Sequence, residues 1–283
     1  MGIERFLPDS QLLSVMGLEL ELIRRGASAH RDALDSLREE VITIAARSRG
    51  WDDTQTLDEF RRNFKIGPLY ETNALALLRD RGRLVGLAGT VNNWEVGDRS
   101  IVHLCSVGLL PEYQNRGVMP VLMGILWVLN WQDPTLRRNY AAGRAWVSAI
   151  TQSPYMVGYL DHLFEIHPSP HRGPPDEDTR LLARAVVARF DDHIPLDEDR
   201  LILRDECNFF YRELPPARDP LITRFCQEQL RVDHGDVFVV IGRVTPRIEP
   251  YVHAIQAAYP EAFQPLADPE PASSSALAHG ALP

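Results

Sequence analysis

The stretch that decides the fold reads Ser100-Ile-Val-His-Leu-Cys-Ser-Val-Gly-Leu-Leu-Pro-Glu-Tyr-Gln-Asn-Arg-Gly-Val-Met-Pro-Val-Leu122. Its first part, Ser100–Leu109, is rich in apolar residues and reads as a strand. Pro111 marks a turn, and Gln114-Asn-Arg-Gly117 opens a long apolar helix over Gly117–Trp131. The first turn of a helix leaves backbone N–H groups without partners, and the helix dipole adds partial positive charge there. A strand that feeds such a helix start makes a site for a phosphate. Gly117 lets the backbone come close to a ligand, and Arg116 adds charge. Pro120 costs little so early in a helix, because its missing N–H is not needed there.

Upstream of this motif the pattern predicts three strands, Ala74–Arg79, Leu84–Asn92 and Ser100–Leu109. Their connections, Asp80-Arg-Gly82 and Glu95–Arg99, are short and contain glycine, so the strands form an antiparallel meander. A meander before the helix, rather than a parallel strand, argues against a dinucleotide-binding Rossmann unit. The pattern G-x-x-x-x-G-K-[ST] is absent, which argues against a nucleotide triphosphatase.

Further out, Leu18–Ile23 alternates apolar and charged residues with the period of a strand, although Leu and Glu also suit a helix. Helices are expected over Ala29–Ser48 and Thr56–Phe64, the second ended by Gly67-Pro68. After the motif come a strand over Arg144–Ile150 and helices over Pro154–Phe164, Glu177–Phe190 and Pro220–Leu230. Arg200–Arg204 and Val237–Val244 read as strands. Residues 1–17 read as an N-terminal extension, 18–264 as one domain, and 265–283 as an Ala-, Ser- and Pro-rich tail expected to be disordered.

Composition narrows the function. The chain has 283 residues and a formal charge of −9, with Lys65 its only lysine. That balance argues against a nucleic-acid binder and favours the approach of cationic ligands such as protonated amines. No run of ~18–20 apolar residues is present, so no membrane span is expected. The first residues lack the pattern of a secretory signal, and a cytoplasmic protein is expected. Cys105, Cys207 and Cys226 are far apart, odd in number and without C-x-x-C spacing, so neither a disulfide framework nor a metal site is expected.

Gln114-Asn-Arg-Gly117-Val-Met119 resembles the Q/R-x-x-G-x-G/A turn of the GNAT superfamily of acyl-CoA-dependent N-acyltransferases, with Met119 in place of the usual Gly or Ala. The order of elements from Leu18 to His167 is similar to that family's layout, and Arg200–Arg204 and Val237–Val244 are candidates for its last two strands. The resemblance implies an α/β (α+β) fold: a central mixed, mostly antiparallel twisted sheet flanked by helices, with extra C-terminal elements. It implies that the backbone of Val107, Gly108 and Leu109 pairs with the pantetheine arm of coenzyme A. The amides of Gln114, Asn115, Arg116, Gly117, Val118 and Met119 would hold the pyrophosphate.

The activity it implies is direct acyl transfer from acetyl-CoA, as co-substrate, to a small-molecule amine. Two alternatives stand beside it. One is a longer acyl donor, its end shaped by Met119, Met123 and Trp127. The other is a module that binds coenzyme A or a partner without turnover. Elements after His167 would then cover the acceptor groove or form a homodimer interface. Tyr159-Leu-Asp-His-Leu-Phe164 is similar to the family's tyrosine-x-x-x-glycine-phenylalanine ending, which makes Tyr159 the candidate acid for the departing thiolate, against a packing role in an amphipathic helix. His103 is the candidate base, because several family members carry Glu or His on that strand and imidazole titrates near neutral pH. Its alternative is a structural histidine. Strict alternation would put His103, Cys105, Val107 and Leu109 on one face. Asn92, Asn93 and Trp94 are expected either to shape the acceptor pocket or to form a polar turn.

Overall fold

A computed structural model describes residues 10–24, 30–63, 67–191, 193–206 and 210–264. The meander is present as β3 (Ala74–Asp80), β4 (Arg83–Val96) and β5 (Arg99–Leu109). It is extended on one side by β2 (Leu18–Ile23) and β1 (Gln11–Val15), on the other by β6 (Ala145–Thr151) and β10 (Val237–Val244). The short strands β9 (Ile202–Leu203) and β8 (Leu196–Asp197) finish that edge, and β7 (Phe164–His167) also pairs with β10. Every pairing is antiparallel except β5 with β6. The result is the mixed, mostly antiparallel sheet that the resemblance implies.

The helices are α1 (Arg31–Ser36), α2 (Arg38–Arg47), α3 (Thr54–Asn63), α4 (Gly67–Tyr70), α5 (Val118–Trp131), α6 (Pro134–Ala141), α7 (Pro154–Leu163), α8 (Glu177–Phe190), α9 (Pro220–Gln229) and α10 (Ile248–Ala258). Helix α5 is apolar on nearly all sides because it is the centre of the core: Leu122, Met123, Ile125, Leu126, Trp127 and Val128 are all buried. Helix α8 covers the other face of the sheet, where Leu182, Val186, Ile101, Trp146, Val239 and Ile241 form a second cluster. Among the described residues no helix is long and apolar enough to cross a membrane.

Several boundaries differ from expectation for identifiable reasons. The stretch assigned to an N-terminal extension contributes β1, which pairs with β2 across the turn Met16-Gly17, both at positive φ. The sheet therefore begins at Gln11, ahead of residue 18. The helix expected over 29–48 is two helices that meet at Leu37, where a three-residue turn closes onto Leu34; Ala29 lies outside the described residues, as do Phe64 and the tail over 265–283. Strand β4 runs on to Val96, so the turn over 95–99 shrinks to Gly97-Asp98. Helix α7 stops at Leu163, and Phe164 begins β7 instead of ending the helix. Because β7 takes four residues of β10, Arg200–Arg204 shrinks to the two-residue β9.

The pairing that matters most is β5 with β6. Their register runs from Ser100↔Ala145 to Leu104↔Ala149 and stops there, although β5 continues to Leu109. On the β4 side Gly89 pairs with Cys105 but Leu87 with Gly108, so Ser106 and Val107 together face Ala88. This is a β-bulge, and Ser106 takes the positive φ of 53° that it requires. A bulge reverses side-chain parity. Val102 and Leu104 face the main core before it, and Val107 and Leu109 face that core after it, while Ile101 and His103 face α8. The expectation that His103, Cys105, Val107 and Leu109 share a face is thereby corrected.

Candidate active site

Where β5 leaves β6, a cleft of about 710 Å³ opens between the two strands. One wall is Cys105–Leu109, whose edge toward β6 has no strand partner among the described residues. The opposite wall is Ala149–Ser153 with Tyr155 and Met156 from the start of α7. Helix α2 adds Val41, Ile44 and Arg47, with Arg49 just after its end, and Gly108 permits this approach, since a Cβ there would stand 2.9 Å from the Ile44 side chain.

The turn leading to α5 forms one end of the cleft. Gln114 is extended and its side-chain amide donates to the Leu109 carbonyl at 2.8 Å. Asn115 (φ 58°) and Gly117 (φ 76°) are left-handed, and Gly117 is the N-cap of α5 with no side chain capping it. Among the described residues no side chain takes up the first amides of α5, at Val118 and Met119, and the dipole of a fourteen-residue helix stands behind them. Arg116 packs over the Tyr113 ring at 5.4 Å, and Tyr113 in turn donates to Asp80 at 2.7 Å. Gln114, Asn115 and Met119 line the cleft; Val118 is buried beside it. Of the three side chains expected to shape an acyl end, Met119 alone lines the cleft, while Met123 and Trp127 are buried inside the core. An extended strand edge and an uncapped helix start on one cleft fit a ligand with an amide-bearing arm and a diphosphate.

The segment over 210–216, with Glu206, forms the far side. Glu206, Tyr211, Glu213, Leu214, Pro215 and Pro216 all line the cleft. Two sets of hydrogen bonds fasten this strap. The Tyr211 amide donates to Gln152 Oε1 at 3.2 Å, and the Pro215 carbonyl accepts from the Tyr155 amide at 3.2 Å. Toward α2 and α3, the Arg212 amide donates to the Arg49 carbonyl at 2.9 Å and Trp51 Nε1 to the Phe210 carbonyl at 2.6 Å. Elements after His167 therefore reach over the groove.

The candidate catalytic side chains lie elsewhere than expected. His103 is 4% exposed, stacked on Phe190 with ring centroids 4.2 Å apart, and its Nδ1 is 2.9 Å from Ser148 Oγ. Burial pushes its imidazole down to about 3, and Arg189 adds to the effect. It faces α8 and does not line the cleft. Tyr159 is one turn too deep: its hydroxyl is 3.1 Å from that of Tyr251 on α10, which donates to the Pro120 carbonyl. Burial, then Tyr251, holds its phenol well above the ordinary value. Cys105 does line the cleft, and burial pushes its thiol up to about 12, which disfavours the thiolate.

Asn92 and Trp94 do not line the cleft. Strand β4 is antiparallel to β5, so its start, near Leu87, borders the cleft and its finish lies beyond the paired half. Asn92 and Asn93 form a bulge opposite Val102. The Asn92 amide donates to Asn73 Oδ1 at 2.8 Å, and its side chain to Asn130 Oδ1 at 2.6 Å. Trp94 packs edge-on against Phe190 under the Arg189 guanidinium.

Sequence reasoning missed Tyr155 and the strap. The first had a signal, since Ser153-Pro154 is a helix start that places Tyr155 one turn before Tyr159. The second had only Pro215-Pro216, which predicts extended chain but not where it lies.

The mixed, mostly antiparallel sheet flanked by helices and the left-handed turn into α5 match the layout that the resemblance implies. No family model and no curated protein matches the chain. Among solved structures it is similar to a GCN5-related N-acetyltransferase from Kribbella flavida, at 18% identity and a TM-score of 0.31 over 53% of this chain and 33% of that one. It is also similar to PaiA N-acetyltransferase from Thermoplasma acidophilum in complex with coenzyme A, at 12% identity and a TM-score of 0.31 over 53% of this chain and 92% of that one. A third is diaminobutyrate acetyltransferase EctA from Paenibacillus lautus, in complex with L-2,4-diaminobutyric acid and coenzyme A, at 14% identity and a TM-score of 0.30 over 53% and 80% of the two chains. The chain spans about a third of the length of the first of these.

Proposed function

We propose that this protein transfers an acyl group, by default acetyl, from coenzyme A to the amine of a small molecule by direct attack. The observation that carries this reading is the run of β5 five residues beyond its pairing with β6, into a left-handed turn that heads α5. The free edge of Val107–Leu109 suits the amides of a pantetheine arm, and the amides at Val118 and Met119 suit a pyrophosphate. An acceptor would enter between α2 and the strap, where Glu206 and Glu213 favour a cationic amine. Holding both reactants in one cleft, away from bulk water, supplies most of what such a reaction needs.

A second reading, transfer of a longer acyl chain, is favoured by the apolar lining: Val41, Ile44, Leu87, Met119, Met156 and Leu214. Native mass spectrometry and thermal shift with coenzyme A and acetyl-CoA test the donor. Thiol release across a panel of amines, with acetyl, butanoyl and octanoyl donors, tests the transfer. Binding with release above the hydrolysis background is expected. Binding without release would make the chain a coenzyme A-binding module, and no binding would overturn the reading.

A further inference from the structure

Two consecutive amides of the strap are held by opposite walls of the cleft. The Tyr211 amide donates to Gln152 at the end of β6, and the Arg212 amide donates to the Arg49 carbonyl just past α2. At that point the strap crosses from wall to wall. The β6 anchor is rigid: Gln152 is 3% exposed, and its Nε2 donates to the Asp236 and Val232 carbonyls at 3.0 and 3.3 Å. The other anchor is built by side chains that do not line the cleft. Trp51 meets the Phe210 ring edge-on at 5.3 Å and donates to the Phe210 carbonyl. The Arg212 guanidinium lies 4.7 Å over the Trp51 ring and donates to Asp53 Oδ2 at 3.1 Å. Further along, the Pro215 carbonyl accepts the Tyr155 amide, and the Ala217 amide donates to Thr223 Oγ1 at 2.9 Å. Pro215-Pro216 stiffens the chain between these ties. The strap is a beam fixed at both ends, and Leu214, Pro215 and Pro216 line the cleft beneath it.

We infer that this strap is an acceptor filter, which admits an amine at the end of a slender aliphatic chain and refuses an amine carried on a polypeptide. The inference rests on the acyltransferase reading above and adds the class of acceptor. A polypeptide that brings its amine into a groove lies along that groove, and needs an open trough on both sides of the amine. A beam bonded to both walls interrupts the trough. Seating a polypeptide would therefore break the ties at Tyr211 and Arg212, and that cost falls on this acceptor class alone. A slender amine needs only the gap beside the beam. Val41, Met156 and Leu214 give that space an apolar lining, which suits a run of methylenes.

The test loosens the strap and locks it, in the full chain with acetyl-CoA as donor. The acceptors are unbranched primary alkylamines and short peptides with a free N-terminus. In the wild-type chain, kcat/KM for the best alkylamine is expected to exceed that for any peptide by about a hundredfold or more. Arg212→Pro removes the amide donor, the ion pair and the ring contact together. It is expected to raise kcat/KM for the peptides about tenfold, with faster hydrogen exchange across 210–216 and coenzyme A affinity within about twofold. The lock is Gly50→Cys with Arg212→Cys. A Cβ at Gly50 would stand 3.3 Å from that of Arg212, close to the about 3.5–4.5 Å that a disulfide spans. Oxidising this pair is expected to keep alkylamine turnover within about threefold of the reduced form and to suppress peptide turnover. If Arg212→Pro does not fold, the lock decides. Three results would overturn the inference and leave the acyltransferase reading in place. They are wild-type turnover of peptides as fast as of alkylamines, refusal of peptides by an Arg212→Pro chain whose strap exchanges faster, and loss of alkylamine turnover on oxidation of the lock. Coenzyme A binding with no thiol release for any amine would overturn both.

Discussion

Strand β5 is one strand with two fates. Over Ser100–Leu104 it is paired on both edges, with β4 and with β6, and its polar side chain His103 is sealed between Phe190 and Ser148. Over Cys105–Leu109 the β6 edge is free, and the strand offers backbone groups to a cleft. The two halves differ by a single inserted residue, because the bulge at Ser106-Val107 is where the parity and the pairing both change. In the paired half a titratable side chain packs between Phe190 and Ser148, while in the parted half plain main chain borders the cleft. A histidine is conspicuous in a sequence; an unpaired edge is not.

The strongest way to break this comparison is His103→Ala. Losing the stacked ring leaves a cavity and an unpartnered Ser148, for a cost of about 3 kcal/mol. Urea unfolding measures that loss, and thiol release per folded molecule should stay at the wild-type level. A collapse of kcat in the folded variant would restore His103 as a base. The same residue predicts acid sensitivity. Unfolded, its imidazole takes a proton near pH 6.5, but folded only near 3. The unfolded state therefore binds more protons throughout that window, and stability falls as pH drops through it, by about 3 kcal/mol at pH 4. His103→Gln should flatten this part of the stability profile.

At the parted end the expected effects are on binding. Gly117→Val forces a β-branched residue to φ 76°, which costs about 1–2 kcal/mol and displaces the turn. Coenzyme A affinity by calorimetry should fall at least tenfold, and an unchanged affinity would remove the turn from the site. The smallest effect is expected of Asn92→Ala at the closed end. It deletes one hydrogen bond of the Asn92–Asn130–Thr90 chain, for about 1 kcal/mol. KM for the amine should not move, and a rise above fivefold would return Asn92 to an acceptor pocket.

Core packing also explains what was legible in advance. Period-two and period-3.6 patterns record which face of a local segment is buried, so the meander, α5, α8 and β10 could be read directly. Helix α10 carried the same signal in Ile248, Val252 and Ile255, all buried, and was overlooked because Pro246 and Pro250 interrupt its start. Strands β7, β8 and β9 were misjudged because they are two to four residues long and owe their existence to β10. Local pattern says nothing about a partner 70 residues away.

By itself the sequence determined the strand, the turn and the helix from Ser100 to Trp131, because strand pattern, Pro111 and the left-handed Gly117 are local requirements of backbone geometry. It determined the meander for the same reason. Only tertiary structure decided which groups surround the cleft. The bulge turned His103 away from Val107 and Leu109, antiparallel pairing carried Asn92 to the far end, α10 occupied Tyr159, and the strap over 210–216 closed the far wall. Each of these depends on packing between segments distant in the chain, and no spacing within one segment encodes it.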